Sequence, residues 1–152
     1  MALLDQRARD EISKLFEELT EPVRLAFYTR RASPLVVPGQ QEASQSCEDE
    51  RELLTEIVEL SDKLLLKVHD VKEEPKAASE AGIDKVPALV LEGPIEAGAV
   101  RFFGLPSGYE FSTLIVDIVD VSNGNVLLSE KTRTELAELS EPVHIQVFVT
   151  PT

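Results

Sequence analysis

Apolar residues recur along the chain with two different periods. Between Asp5 and Leu19 they fall at Ile12, Leu15, Phe16 and Leu19, the spacing of one helical face. Glu21-Pro22 ends that helix, because the residue before a proline avoids the α region. Val23 to Thr29 is rich in strand formers and predicts a strand. Arg30 to Ser46 holds Pro34, Pro38, Gly39 and a run of Gln and Ser, and reads as a long loop. From Glu48 to Leu64 the positions Leu53, Ile57, Leu60 and Leu64 step by four, three and four, the stripe of a second helix. Leu64 to Val71 reads as a strand, and Glu74 to Ala81 as a short helix closed by Gly82. Ala88 to Glu92 and Ala99 to Phe103 read as strands joined through Gly93-Pro94. Tyr109 to Val121 predicts a helix with Phe111, Leu114, Ile115 and Ile118 inward, stopped at Asn123-Gly124.

The resulting order is helix, β, α, β, α, β, β, α. It predicts an α/β fold, a mixed sheet flanked by helices with one extra helix at the N-terminus. The tail then repeats the start. Leu19-Thr20-Glu21-Pro22-Val23-Arg24-Leu25 returns as Leu139-Ser140-Glu141-Pro142-Val143-His144-Ile145, with four of seven pairs identical at an offset of 120. A helical stretch precedes each copy (Asp10 to Leu19, Glu130 to Leu139) and an apolar stretch follows each (Val23 to Thr29, Val143 to Val149). Tandem duplication of a whole unit accounts for this. Residues 1–122 are expected to form one complete unit, and residues 123–152 the first helix and strand of a second, truncated one. A strand without its own sheet seeks a partner edge. Val143 to Val149 is therefore expected to add to the first unit's sheet or to pair with a second molecule, giving a homodimer.

Charge and residue inventory narrow the function. The net charge of −13 disfavours nucleic acid and anionic membrane surfaces, which require a basic face. No apolar run approaches the roughly 20 residues of a membrane span. Met1 to Asp10 mixes charges and shows no signal-like apolar region, so a cytoplasmic location is expected. Cys47 is the single cysteine, and the two histidines, His69 and His144, stand far apart. No disulfide framework or structural zinc site follows from such an inventory, and neither a metal nor a cofactor is expected. Asp117 and Asp120 read as a solvated helix face, and Tyr28 and Tyr109 as packing residues. Gly104 to Gly108 lacks the spacing and the lysine of a phosphate loop.

Several stretches resemble the protein disulfide oxidoreductases of thermophilic prokaryotes, also called glutaredoxin-like domain proteins, which carry two thioredoxin-fold units in tandem. They are Ile83-Asp84-Lys85-Val86-Pro87-Ala88, Val100-Arg101-Phe102-Phe103-Gly104-Leu105-Pro106-Ser107-Gly108-Tyr109-Glu110-Phe111, and Asp117-Ile118-Val119-Asp120-Val121-Ser122. Val147-Phe148-Val149-Thr150-Pro151-Thr152 is also similar, and in the family it leads into the second unit's Cys-x-x-Cys. The resemblance implies a thioredoxin-like mixed sheet. It implies that Ser44 and Cys47, in Ser44-Gln45-Ser46-Cys47, stand where the first unit's nucleophilic and second cysteines belong. It further implies that the Val86-Pro87 bond is cis, faces the active-site helix, and offers the Val86 backbone to an extended peptide.

Dithiol exchange needs an attacking thiolate and a resolving thiol in one site. A serine hydroxyl at Ser44 cannot replace the thiolate without an activating base. Cys47 alone could work as a monothiol, but an unperturbed thiol of pKa about 8.5 is only about 3% ionised at pH 7. Glu48, Asp49 and Glu50 follow it directly and oppose thiolate formation, and a small structural residue at a helix start is the plainer reading. Three functions follow. The chain is a degenerate N-terminal unit of a disulfide oxidoreductase, structural or substrate-positioning, or a monothiol redox protein using Cys47, or a non-catalytic peptide-binding module. Protein or peptide thiols and disulfides are the partners expected of the redox readings, and an extended peptide near Pro87 that of the non-catalytic module.

Overall fold

The computed structural model describes residues 3–30, 40–94 and 100–148, with the backbone alone for 40–46. Asp5 opens the first helix, α1 (Gln6–Phe16), its carboxylate accepting the Ala8 N–H at 2.8 Å. Ile12 and Phe16 turn inward, as their spacing requires. Ahead of α1, the Leu3 and Leu4 N–H groups donate to Glu56 at 2.6 and 3.1 Å, pinning the N-terminal arm to the next helix.

The chain continues through β1 (Val23–Thr29), α2 (Gln40–Val58), β2 (Leu64–Asp70), α3 (Pro75–Glu80), β3 (Ala88–Glu92), β4 (Val100–Phe103), α4 (Tyr109–Asn123) and α5 (Glu130–Ala137). The four strands lie in the order β2-β1-β3-β4. β1 runs parallel to β2, with Val23 opposite Leu64, and antiparallel to β3, with Tyr28 opposite Ala88. β4 pairs antiparallel with β3, Ala88 opposite Phe103. β1 and β3 occupy the centre and are covered on both faces, which is why both read as almost unbroken apolar runs.

Strand alternation sorts the core into two layers. Val23, Leu25, Phe27, Leu89 and Leu91 face the layer filled by α1, α2 and α4, with Leu54, Ile57, Leu114 and Ile118. Ala26, Tyr28, Ala88 and Val90 face the thinner layer under Ala78 of α3. Gly93 ends β3 against α4. A Cβ there would stand 2.5 Å from Val121 Cγ1 and 2.8 Å from its carbonyl oxygen, so only glycine permits this approach. Gly124 ends α4 in the left-handed conformation (φ 66°).

Three expectations need correction. The second helix begins at Gln40, not Glu48, so the loop does not extend to Ser46. Past Pro38-Gly39 the segment has no helix breaker, and its Gln, Glu and Ala favour helix. The same helix ends at Val58, and Leu64 is the first residue of β2. Leu64 continued the helical stripe by coincidence of phase, being a buried strand residue opposite Val23. In the tail α5 forms, capped by Ser129 accepting the Thr132 N–H at 3.2 Å, but none of its residues is buried. Residues 143–148 form no strand and do not add to the first unit's sheet. A strand exists only through its neighbours, and nothing among the described residues lies beside this segment to supply them. No helix among the described residues is long and apolar enough to cross a membrane.

Candidate functional site at the C-terminal end of β1

Connectivity brings two features to one end of the sheet. β1 delivers the chain at Thr29, α2 runs back from that end, and β2 starts again beside Val23. β3, antiparallel, starts at the Tyr28 level. The first half of α2, with Cys47, and the Val86-Pro87 dipeptide ahead of β3 therefore share the C-terminal end of β1. Cys47 stands eleven residues before Val58, about 16 Å up the helix axis.

The location of Cys47 differs from expectation. It lies seven residues inside α2, about two turns beyond Gln40, and it is buried and unbridged. The dipole effect on an ionised group fades within the first turn, so the helix start cannot activate this thiol. Ser44 lies within the same helix rather than ahead of it, and its side chain falls outside the described residues.

Glu50, one turn after Cys47, is the residue that the sequence pattern did not single out. Its side chain is 0% exposed, and neither Oε1 nor Oε2 has a hydrogen-bond partner. Burial alone pushes its carboxyl up to about 8, so it is held as the neutral acid at pH 7. The signal was available: Cys47, Glu50, Leu54 and Ile57 step by three, four and three. Three acids in a row invite the reading that all of them face water.

The Val86-Pro87 peptide bond is cis. Pro87 is buried and Val86 half-buried, packed against the layer of Tyr28 and Ala88. The Pro87 carbonyl accepts the Gly104 N–H at 2.9 Å, tying the turn after β4 to this dipeptide. Phe103, Leu105 and Tyr109 lie exposed along that turn, so Tyr109 is not a packing residue. Tyr28 is one, and it stacks on the buried His69 across β1 and β2, ring centroids 4.8 Å apart at 10°. His69 Nδ1 lies 2.8 Å from Glu74 Oε2 at the start of α3. Asp117 and Asp120 are half-buried rather than solvated. Burial first, then the Asp120 charge, pushes the Asp117 carboxyl up.

Chemically, this end offers one covered thiol, one covered neutral acid and a cis-proline turn rimmed by exposed apolar side chains. No group of histidine, cysteine and carboxylate residues able to hold a metal ion occurs among the described residues.

No family model matches the sequence. The alkyl hydroperoxide reductase F subunit from Staphylococcus aureus is 27% identical over 114 residues, covering 75% of this chain and 20% of that protein. The Staphylococcus epidermidis protein of the same name is 26% identical over 102 residues, covering 67% of this chain and 18% of its own length. The chain thus matches about a fifth of these relatives. In structure it superposes on the F subunit of Enterococcus faecalis alkylhydroperoxide reductase with a TM-score of 0.73 at 22% identity, covering 91% of this chain and 62% of that one. It superposes on a protein disulfide oxidoreductase from Aeropyrum pernix with a TM-score of 0.72 at 23% identity, covering 91% and 56%. With its parallel β1–β2 pair, antiparallel β3–β4 hairpin and cis proline leading into β3, the chain has the thioredoxin-like fold.

Proposed function

We propose that this chain is a degenerate N-terminal thioredoxin-like unit of a disulfide oxidoreductase built from two tandem units. It positions protein or peptide thiols and disulfides at its cis-proline edge, and the dithiol chemistry resides in a second unit. One observation carries this reading: Cys47 is the single cysteine and is buried within α2. A dithiol cycle needs two thiols, the attacking one accessible. The Val86-Pro87 turn, at the same end of the sheet and flanked by exposed Phe103 and Leu105, supplies backbone and apolar surface for an extended segment. Residues 123–152 belong in this reading to the second unit, supported by the repeat at offset 120 and by the exposed apolar residues that follow α5. That this chain covers 62% and 56% of the Enterococcus and Aeropyrum chains agrees with a larger whole.

Insulin reduction by dithiothreitol tests the reading. Wild type and Cys47→Ala are expected to add nothing to the uncatalysed rate, and Ser44→Cys, which restores a cysteine pair, to add turnover. Activity in the wild type that disappears in Cys47→Ala would instead identify a monothiol redox protein working through Cys47.

A further inference from the structure

The inward stripe of α2 contains one residue that a core does not ordinarily take. Cys47, Leu54 and Ile57 are small or apolar and buried; Glu50, between them, is equally covered and carries a carboxyl with both oxygens unpaired. Residues three apart on a helix share a face with Cβ atoms roughly 5–6 Å apart, so Glu50 and Cys47 lie on one face of α2. Further along the stripe, Leu54 and Ile57 pack into an apolar layer with Leu25 and Phe27 from β1, Leu89 and Leu91 from β3, and Leu114 and Ile118 from α4. On α2 itself the neighbouring titratable group is the thiol. Glu48, Arg51 and Glu52 are exposed and Asp49 is half-buried, on other faces of the helix. No charge contributes to the displacement of Glu50 from ordinary carboxylate behaviour; desolvation does so alone.

A neutral carboxylic acid can be tolerated in such a layer, whereas an unpaired carboxylate cannot. We propose that Glu50 is a proton-operated lock on the first half of α2, and that Cys47 is the thiol it guards. Protonated, Glu50 lets the stripe stay docked and keeps Cys47 covered. On ionising it draws the Cys47–Glu50 turn toward water and opens the thiol to small electrophiles and disulfides. Cys47 is then a conditional modification site, closed in mild acid and increasingly open toward pH 8. The proposal does not depend on a second unit or on the peptide edge.

Amide hydrogen exchange and N-ethylmaleimide labelling of the whole chain between pH 5 and 9 test it, comparing wild type with Glu50→Gln and Glu50→Leu. One proton released on opening makes the opening constant rise by up to about tenfold per pH unit until the buried acid itself ionises. After correction for base-catalysed exchange, wild-type protection from Cys47 to Ile57 is expected to fall with that slope and to level off above pH 8. At pH 8 it should drop below the protection of Leu89 and Leu91. The ratio of the wild-type labelling rate of Cys47 to that of each variant is expected to rise in step, while both variants stay flat in exchange. Leucine suits the apolar layer even if the amide of glutamine does not. Parallel profiles in all three proteins overturn the proposal. So does equal protection of α2 and β3 at pH 8, which would mean that Glu50 reaches water only by global unfolding.

Discussion

Two stretches of this molecule share a sequence pattern and have opposite fates. Leu19, Val23, Leu25 and Phe27 are 2%, 0%, 0% and 0% exposed. Leu139, Val143, Ile145 and Val147, their counterparts 120 residues on, are 55%, 65%, 81% and 80% exposed. Each follows a helix and contains a Glu-Pro step. The difference is what lies beside them. The first stretch runs between β2 and β3 and beneath three helices, whereas the second has no strand partner among the described residues. A short apolar pattern therefore specifies what a segment can become, and its neighbours decide whether it does.

The largest effect that tests this contrast comes from truncating equivalent positions. Phe27→Ala removes a fully buried ring and is expected to cost about 3–5 kcal/mol in urea unfolding. Val147→Ala, its counterpart, is expected to change stability by less than about 0.5 kcal/mol. Equal losses would mean that the tail is packed in solution and would remove the contrast.

Glu50 is the converse case, a polar residue inside rather than apolar residues outside. The folded chain keeps its proton up to about pH 8, while the unfolded chain gives it up near the ordinary value of 4.5. The folded carboxyl pKa is thus raised, and between those limits the native state binds more protons than the unfolded state. Stability must fall as pH rises across that window, by about 1.4 kcal/mol per unit from this group. Below 4.5 the penalty is absent, and above 8 it is complete. Glu50→Leu is expected to remove the slope and to be more stable than wild type by a few kcal/mol at pH 8, in urea titrations at pH 5, 6.5 and 8. A wild-type midpoint insensitive to pH over that range would show that the carboxyl has found a partner.

These cases also show what the sequence could reveal. Strand and helix order and the position of the cis proline follow from periodicity, punctuation and resemblance, all of which are local or motif-borne. The start of α2 is hidden because Ser and Gln mark loops and helices alike, and the true start places Cys47 two turns inside the helix rather than at its beginning. Glu50 was hidden because local charge density outweighed a stripe that was visible by counting. The Tyr28–His69 stack and the Ser122 contacts join residues 41 and about 100 positions apart, and only strand register and helix docking bring them together.

Ser122 gives a smaller effect on the same comparison. Its buried hydroxyl donates to the Glu21 carbonyl at 2.6 Å and accepts the Thr20 and Glu21 N–H groups at 3.1 and 3.0 Å. The turn between α1 and β1 is thus held from the far end of α4. Ser122→Ala leaves three backbone groups without that partner and is expected to cost about 1–3 kcal/mol by thermal or urea unfolding. Ser140→Ala, at the counterpart turn, is exposed and is expected to cost less than about 0.5 kcal/mol.

The smallest effect on stability has the clearest effect on association. Val143, Ile145 and Val147 alternate along an exposed segment and form an apolar row of the kind that pairs with another edge. Replacing all three with Thr keeps strand propensity and removes most of the apolar surface. The unfolding midpoint is expected to stay within about 0.5 kcal/mol of wild type, because none of the three supports the first unit's core. Sedimentation is expected to differ: the wild-type mass should rise with concentration as tails of two copies pair, and the triple variant should remain a monomer. A wild type that stays monomeric at high concentration would mean that this row is too short to hold two copies. The apolar row would then need neighbours other than a second copy, of the kind that β1 has in β2 and β3.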